Sequence, residues 1–452
     1  MQSTLRGVIG ILGFGVDGES VAEFLETMPE VKEVRVFDEK SDIRHQKAVT
    51  KGKSLDRVHL LFRSPGFPLT HPLLKEARER GIPVTSSTTY FLQNFSGKTV
   101  GVTGSNGKTT CTTLIAEMLR AEFGKENVEE GGNDRKPRLD LIASQFGRAL
   151  LDQAKPEAAA KGEASGENAR PHSRRAIPYV VLEMSSFQLM DCPVSPNVSV
   201  VLNITPNHLD WHVSMEEYAE AKRQIVANQQ EGDIAILNPD DPIVKTFAKN
   251  LQSTVRWFDE LSTVNCQLSK VHFKSHPSTI RAAVTAARAL HVSEENIQKV
   301  LSTFRGVSHR LEFVRELDGV KWYNDSSCTT PESAITACEA FPEGSLILLL
   351  GGRDKGMDFT KLYQVIKERK VRVIPYGEMA ANIAIHIPKN QLLQNSPFSI
   401  LHSQFSQVVE TARKKANAGD NVVLSPACAS FDMFQNAKER GKIFEELVEA
   451  FS

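Results

Sequence analysis

The run Gly101-Val102-Thr103-Gly104-Ser105-Asn106-Gly107-Lys108-Thr109-Thr110, GVTGSNGKTT, decides the fold. It stands between a short apolar run (Thr99, Val100, Val102) and a helical pattern from Thr110 through Leu119. A glycine-rich turn between a strand and a helix leaves backbone N–H groups free to point at an anion, and the helix N-terminus adds a positive dipole. Lys108 supplies a cation for phosphate, and the Thr109 hydroxyl suits Mg²⁺. The strict phosphate-loop pattern has Gly where this chain has Val102; the glycines here are Gly101, Gly104 and Gly107. A plain β-to-α turn has no need of Gly-Lys-Thr-Thr at the helix start. Nucleotide binding is therefore expected at Gly104, Ser105, Asn106, Gly107, Lys108, Thr109 and Thr110.

Working outward toward the N-terminus, an apolar run from Gly7 to Leu12 ends in Gly13-Phe14-Gly15-Val16-Asp17-Gly18. A helical pattern follows from Val21 to Leu25, then a strand from Val34 to Phe37 that ends at Asp38. Glycines at that spacing with an acidic residue about 20 positions on form a dinucleotide fingerprint. Further strands read at Val58 to Phe62, leading into Ser64-Pro65-Gly66, and at Ile82 to Val84. Alternation of strands and helices makes residues 1–96 an open, Rossmann-like sheet.

Residues 97–306 read as a central α/β domain of P-loop ATPase type, with strands at Val180 to Leu182, Val198 to Leu202 and Ile234 to Leu237. Gln153 to Arg175 is rich in Ala, Lys, Glu and Gly and has almost no large apolar side chain, so a mobile insertion is expected at about 150–177. Residues 307–452 read as a third, Rossmann-like α/β unit. Its strands are expected at Lys321 to Tyr323, Ser345 to Leu350, Arg372 to Pro375 and Asn421 to Ser425.

The totals agree with a globular protein. At 452 residues the chain is too long for one ordinary core. Lys plus Arg is 54 and Asp plus Glu is 55, a balance that argues against a nucleic-acid or membrane-surface protein. No uncharged apolar run is long enough to span a bilayer. The six cysteines are scattered without paired-ligand spacing, which predicts reduced thiols in a cytoplasm.

Glu183 follows a strand beside the phosphate loop, where a carboxylate is placed to hold Mg²⁺. His208 follows the next strand. If the sheet is parallel, the Gly-rich loop, Glu183 and His208 converge on one edge. Lys222, on a helix from Met215 to Gln230, reads as a solvated lysine. In the last domain, three polar, small-residue loops follow strands: Asn324 to Thr329, Leu350 to Gly356 and Leu424 to Asp432. Loops at strand C-termini are where α/β proteins bind ligands.

Taken in order, GSNGKTT, EMSSFQL, NITPNHLDWH, HRLE, NDSS, LLGGRDKG and LSPACASFDMF resemble the Mur ligases of peptidoglycan synthesis, over Gly13 to about Phe434. SNGKTT is shared with folate-related ligases, while SPACASFDMF resembles the D-glutamate-adding branch. The resemblance implies an ATP-dependent, ADP-forming amide ligase. The carboxylate of UDP-N-acetylmuramoyl-L-alanine takes the γ-phosphoryl group to give an acyl phosphate, and the amine of D-glutamate then displaces phosphate.

The resemblance also implies residue roles. Lys108, His208 and Lys222 are catalytic, and two Mg²⁺ ions are held by Thr109, Glu183, His208 and Lys222, the last as a carbamate. Arg310 and Asp325 meet ATP. Asn133, Ser185 and Gln188 contact the muramoyl part, and Val16, Asp17, Asp38, Ser64, Pro65 and Gly66 line the UDP site. Thr329, Lys355 and Ser430 bind D-glutamate. A cytoplasmic monomer that closes around ATP is expected. The chain departs from the family at Ser327, often Lys, and Ala437, often aromatic. The competing readings are a related ligase adding a different amino acid, such as L-alanine; an NAD-dependent oxidoreductase, which leaves GSNGKTT unexplained; and a non-catalytic nucleotide-binding module, against which intact Lys108, Thr109, Glu183, His208 and Lys222 argue.

Overall fold

The computed structural model describes residues 5–38, 49–132, 139, 178–205, 211–258, 277–393 and 405–452. The expected insertion at 150–177, together with Asn133 and His208, lies outside the described residues.

Three sheets organise the rest. The first has order β3-β2-β1-β4-β5, from β1 (Gly7–Leu12), β2 (Val31–Phe37), β3 (Val49–Lys51), β4 (Val58–Arg63) and β5 (Val84–Thr85). All its pairings are parallel. The second has order β11-β10-β9-β6-β8-β7, from β6 (Lys98–Thr103), β7 (Val128–Gly132), β8 (Tyr179–Glu183), β9 (Val198–Val201), β10 (Ile234–Leu237) and β11 (Thr254–Trp257), again parallel throughout. The third has order β12-β13-β16-β14-β15, from β12 (Glu312–Leu317), β13 (Val320–Asn324), β14 (Leu346–Gly351), β15 (Arg372–Tyr376) and β16 (Asn421–Leu424). Parallel strands covered on both faces must be apolar on both, and Leu346 to Gly351 is accordingly buried at every position.

The chain divides into two compact units, one holding the first two sheets and the other, from Leu301 onward, the third. Within the first unit one apolar cluster contains Ile9, Phe24 and Tyr90 beside the first sheet and Val180, Val201 and Tyr218 from the second.

The helix after the first glycine turn begins at Val16, earlier than the expected Val21. Strands β3, β7 and β11 are short edge strands that the apolar pattern did not show. The third sheet is not wholly parallel, because β12 and β13 form an antiparallel hairpin. Its turn is Asp318-Gly319, with φ +52° and +75°, the two left-handed residues a tight hairpin turn requires.

Candidate active site

The phosphate loop opens from β6, at the centre of the second sheet. Gly107 has φ +82° and caps the helix Lys108–Phe123; a Cβ there would lie 2.6 Å from Thr279 Oγ1. Val102 is wholly buried in β6, so the position where the strict pattern has Gly belongs to the sheet, and the turn starts two residues later. Asn203, after β9, shapes the loop. Its carbonyl accepts from Ser105 N at 2.8 Å, its Oδ1 accepts from Asn106 N at 2.9 Å, and its Nδ2 donates to Asn106 O at 3.1 Å. Lys108 Nζ donates to Ser105 O at 3.2 Å, folding back over the loop. Thr110 lies in the first turn of the helix, half-buried.

Glu183 closes β8, in register with Val102 of β6. It is buried and accepts a hydrogen bond from Thr109 Oγ1 at 2.8 Å. The expected convergence of the loop and Glu183 on one carboxyl edge is thus present. A hydroxyl and a carboxylate beside a phosphate loop are hard oxygen donors, which fit Mg²⁺.

Lys222 corrects the expectation of a solvated side chain. The helix Met215–Ala227 buries Tyr218, Ala219, Ala221, Lys222, Ile225 and Val226, leaving Lys222 only 2% exposed. Its Nζ donates to Gly104 O at 2.9 Å and to Thr103 Oγ1 at 3.4 Å, and lies 4.8 Å from the Tyr218 ring centroid. Burial, with the charge of Lys108 adding to it, holds the Lys222 pKa well below the usual lysine range, while Glu183 pulls the other way. Lys222 stands four residues from Tyr218 and three from Ile225, inside an apolar stripe at helical spacing, and that was the signal for its burial.

The predicted UDP residues gather at the carboxyl edge of the first sheet. Asp38 Oδ2 accepts from Phe14 N at 2.9 Å, and Ser64 Oγ donates to Gly13 O at 3.0 Å. Val16 is exposed, whereas Asp17 accepts the Ser87 hydroxyl. Burial pushes the Asp17 pKa up, against the Ser87 hydrogen bond and the charge of Arg63. Arg63, fully buried, was missed by sequence. Its Nη1 donates to Phe67 O at 2.8 Å and Pro65 O at 3.5 Å, and its Nη2 to Phe187 O at 3.0 Å. It grips Asp191 bidentately at 2.9 and 2.6 Å. Arg63 therefore joins the Ser64-Pro65-Gly66 turn to the segment carrying Ser185 and Gln188. Those two form a capping box for the helix Ser186–Leu189, with Ser185 N donating to Gln188 Oε1 at 2.9 Å.

In the other unit, Asp325 Oδ2 accepts from Ser425 Oγ at 2.6 Å and Oδ1 from Leu311 N at 3.2 Å. Burial raises its pKa to about 7, with the Ser425 hydrogen bond the largest opposing effect. The charge of exposed Arg310 acts on the same carboxylate. Lys355 Nζ donates to Thr329 O at 3.2 Å, which brings two of the predicted amino-acid residues together. Ser430 is buried, and its carbonyl accepts from Phe434 N at 2.8 Å.

The sequence matches the Mur ligase middle domain over residues 102–303 and the Mur ligase, glutamate ligase domain over residues 309–428. A UDP-N-acetylmuramoylalanine–D-glutamate ligase of Koribacter versatilis is 33% identical, with 97% of this chain and 96% of that protein covered. The chain belongs to the Mur ligase family. A second member of this family with the same name, from Pelotomaculum thermopropionicum, is 36% identical over 88% of this chain and 85% of its own length. Among solved structures, the MurF ligase of Thermotoga maritima in complex with ADP superposes with TM-score 0.53 at 18% identity, covering 98% of this chain and 95% of that one. E. coli FolC in complex with ADP gives TM-score 0.53 at 17% identity over 80% and 93%. At these identities the two structures establish the shared α/β fold. Among the described residues no helix is long and apolar enough to cross a membrane.

Proposed function

We propose that this Mur ligase joins D-glutamate to UDP-N-acetylmuramoyl-L-alanine with cleavage of ATP to ADP and phosphate, in peptidoglycan precursor synthesis. The observation that carries the reading is the gathering of Lys108, Thr109, Glu183 and Lys222 at the mouth of one phosphate loop. The names of the relatives that span nearly the whole chain supply the substrate. Residues 1–96 hold the UDP moiety through Val16, Asp17, Asp38 and Ser64 to Gly66. Residues 97–306 hold ATP, and residues 307–452 the incoming amino acid.

The N–H groups of the loop and the Lys108 ammonium bind the β- and γ-phosphates and neutralise the charge that migrates during transfer. Ser185, Gln188 and Asn133 orient the acceptor carboxylate toward the γ-phosphorus. The carboxylate oxygen bonds to that phosphorus as its bond to the β-γ bridging oxygen breaks, giving the acyl phosphate and ADP. Thr329, Lys355 and Ser430 hold D-glutamate so that its amine attacks the acyl carbon, and phosphate leaves. Arg310 and Asp325 contact the nucleotide.

Mg²⁺ fits the oxygen donors of Thr109 and Glu183, which would hold one ion, and His208 and Lys222 would hold a second; when bound, such ions would supply charge neutralisation at the phosphate oxygens. Lys222 serves there as a carbamate. Its amine, whose pKa burial lowers, adds CO₂ when unprotonated and releases a proton, leaving an anionic oxygen ligand where an ammonium would stand.

The test is an amino-acid panel with phosphate release and product mass measured together. D-Glutamate with UDP-N-acetylmuramoyl-L-alanine should give the fastest turnover. Faster turnover of L-alanine with UDP-N-acetylmuramate would replace this reading by that of a sister ligase.

A further inference from the structure

Arg440 is among the largest fully buried side chains of the molecule. It lies in the first turns of the helix Ala437–Glu449, which Asn436 caps by accepting from Glu439 N at 2.9 Å. A cation there opposes the helix dipole, whose N-terminal end is already positive. A buried guanidinium is also expected to have a carboxylate partner, but none of the recorded hydrogen-bond partners of Arg440 is a carboxylate; its charge acts on Asp432 without a recorded bond to it.

What Arg440 does hold is backbone. Its Nε donates to Ser326 Oγ at 3.0 Å and one Nη2 bond goes to Ser326 O at 2.9 Å. The remaining donors reach Cys428 O and Ala429 O, all at 3.3 Å. The five donor positions of the guanidinium fork are thereby used. Ser326 lies in the loop after β13, and Cys428 and Ala429 in the loop after β16, two adjacent parallel strands. The loop after β14, next to β16, joins the same knot, since Arg353 N donates to Ala429 O at 2.9 Å. Ser326 Oγ in turn donates to Ala437 O at 2.7 Å, tying the loop to the first residue of the helix. These three loops carry Thr329, Lys355 and Ser430. A guanidinium stays charged at any working pH, so this carboxyl edge bears a fixed positive charge, which also acts on the Asp432 carboxylate of the loop after β16 with no hydrogen bond recorded between them.

We propose that Arg440 is a positioning residue for the incoming amino acid: it fixes the Ser326–Thr329 and Cys428–Ser430 loops in one geometry and gives that edge a permanent positive charge which the two carboxylates of the amino acid complement. The inference rests on the reading of Thr329, Lys355 and Ser430 as the amino-acid site. Arg440 touches no substrate atom itself. Its effect passes through the loops and through its field, which favours a dianionic amino acid over its monoamide.

The experiment measures KM for D-glutamate, ATP and UDP-N-acetylmuramoyl-L-alanine, with kcat and a thermal melt, in the wild type and in Arg440→Met, Arg440→Lys, Ser326→Ala and Lys355→Ala. Arg440→Met should raise the KM for D-glutamate about tenfold or more while the other two KM values stay within about twofold. Arg440→Lys, which keeps charge and loses the fork, should recover part of that loss. Ser326→Ala removes one bond of the knot and should raise the same KM by about threefold; it decides the matter if neither Arg440 variant folds. The preference for D-glutamate over D-glutamine should narrow in Arg440→Met, or in Ser326→Ala where that variant stands in for it. A folded Arg440→Met with an unchanged D-glutamate KM overturns the proposal, as does a rise shared equally by all three substrates. If Lys355→Ala leaves the D-glutamate KM unchanged, or the wild type does not use D-glutamate, the underlying site reading fails instead.

Discussion

Lys222 and Arg440 are two buried cations, one behind the phosphate loop of the second sheet and one beneath the loops of the third. Neither makes a salt bridge among the recorded contacts. Lys222 has two hydrogen bonds, to Gly104 O and Thr103 Oγ1, and its pKa falls. Arg440 has five, and its charge is solvated by backbone carbonyls and one hydroxyl. A lysine relieves the cost of burial by releasing its proton, and becomes a nucleophile toward CO₂. An arginine has no such exit, so the protein must supply the solvation instead. The same problem, a charge in a dry interior, produces a chemically adjustable group in one sheet and a fixed brace in the other.

The sharpest way to break that comparison is Lys222→Arg. It replaces the amine that CO₂ can reach with a guanidinium that keeps its proton, so turnover should fall by at least about a hundredfold, measured as ADP release. In the wild type, removal of dissolved CO₂ should lower activity and bicarbonate should restore it, with intact-protein mass showing the adduct; activity indifferent to CO₂ would leave Lys222 a plain amine. Lys108→Ala should cost about a thousandfold in kcat, because the transferred phosphoryl group loses its cation, and near-normal turnover would remove the phosphate-loop assignment.

Next in size is the third buried cation, Arg63, which does have a carboxylate. Asp191→Asn takes away the carboxylate that Arg63 grips and should destabilise the first unit by about 3–5 kcal/mol in urea unfolding, with the KM for the UDP substrate rising. A smaller change would place Arg63 with Arg440, as a cation solvated adequately by carbonyls alone.

Asp325 gives a pH test in the third sheet. Its folded pKa, about 7, lies above its ordinary value of 3.8. The folded state therefore holds its proton over a range where the unfolded chain has lost it, and the contribution is complete below about pH 4 and lost as pH rises toward 7. Asp325→Asn should flatten that part of the stability–pH curve by a few kcal/mol; an unchanged slope would show the carboxyl ionised throughout. Smallest of all, Asn436→Ala removes the cap of the helix that carries Arg440 and should cost about 1 kcal/mol in thermal unfolding.

Much of this was legible in the sequence because parallel sheets write themselves as uninterrupted apolar runs with polar loops after them. Val198 to Leu202 and Ser345 to Leu350 are examples, and each was read to within one or two residues. The phosphate loop was legible because Gly107 and Lys108 have few other uses in that order. The edge strands were not, since β11 is largely exposed and carries no apolar signature. The Asp318-Gly319 hairpin has only one flank with a clear period of two, Val320 and Trp322 buried around exposed Lys321, while the other is irregular between Phe313 and Arg315. Arg63 and Arg440 were hidden for a different reason. A buried arginine is defined by carbonyls that arrive from distant loops, as Cys428 and Ser326 do, and no local pattern announces them.

The helix Ala437–Glu449 is also held at its far end. Arg315, on β12, donates to the carbonyls of Val448, Glu449 and Phe451 at 3.4, 3.0 and 3.1 Å, and Arg413 donates to Ser452 O at 2.6 Å. In mechanical terms the helix is a strut: its own Arg440 fastens its first turns to the Ser326 and Cys428 loops, and arginines from other elements clamp its far end. A force applied at Ser452 would load the Arg413 and Arg315 clamps first, and would reach the Ser326 and Cys428 loops only after those had torn.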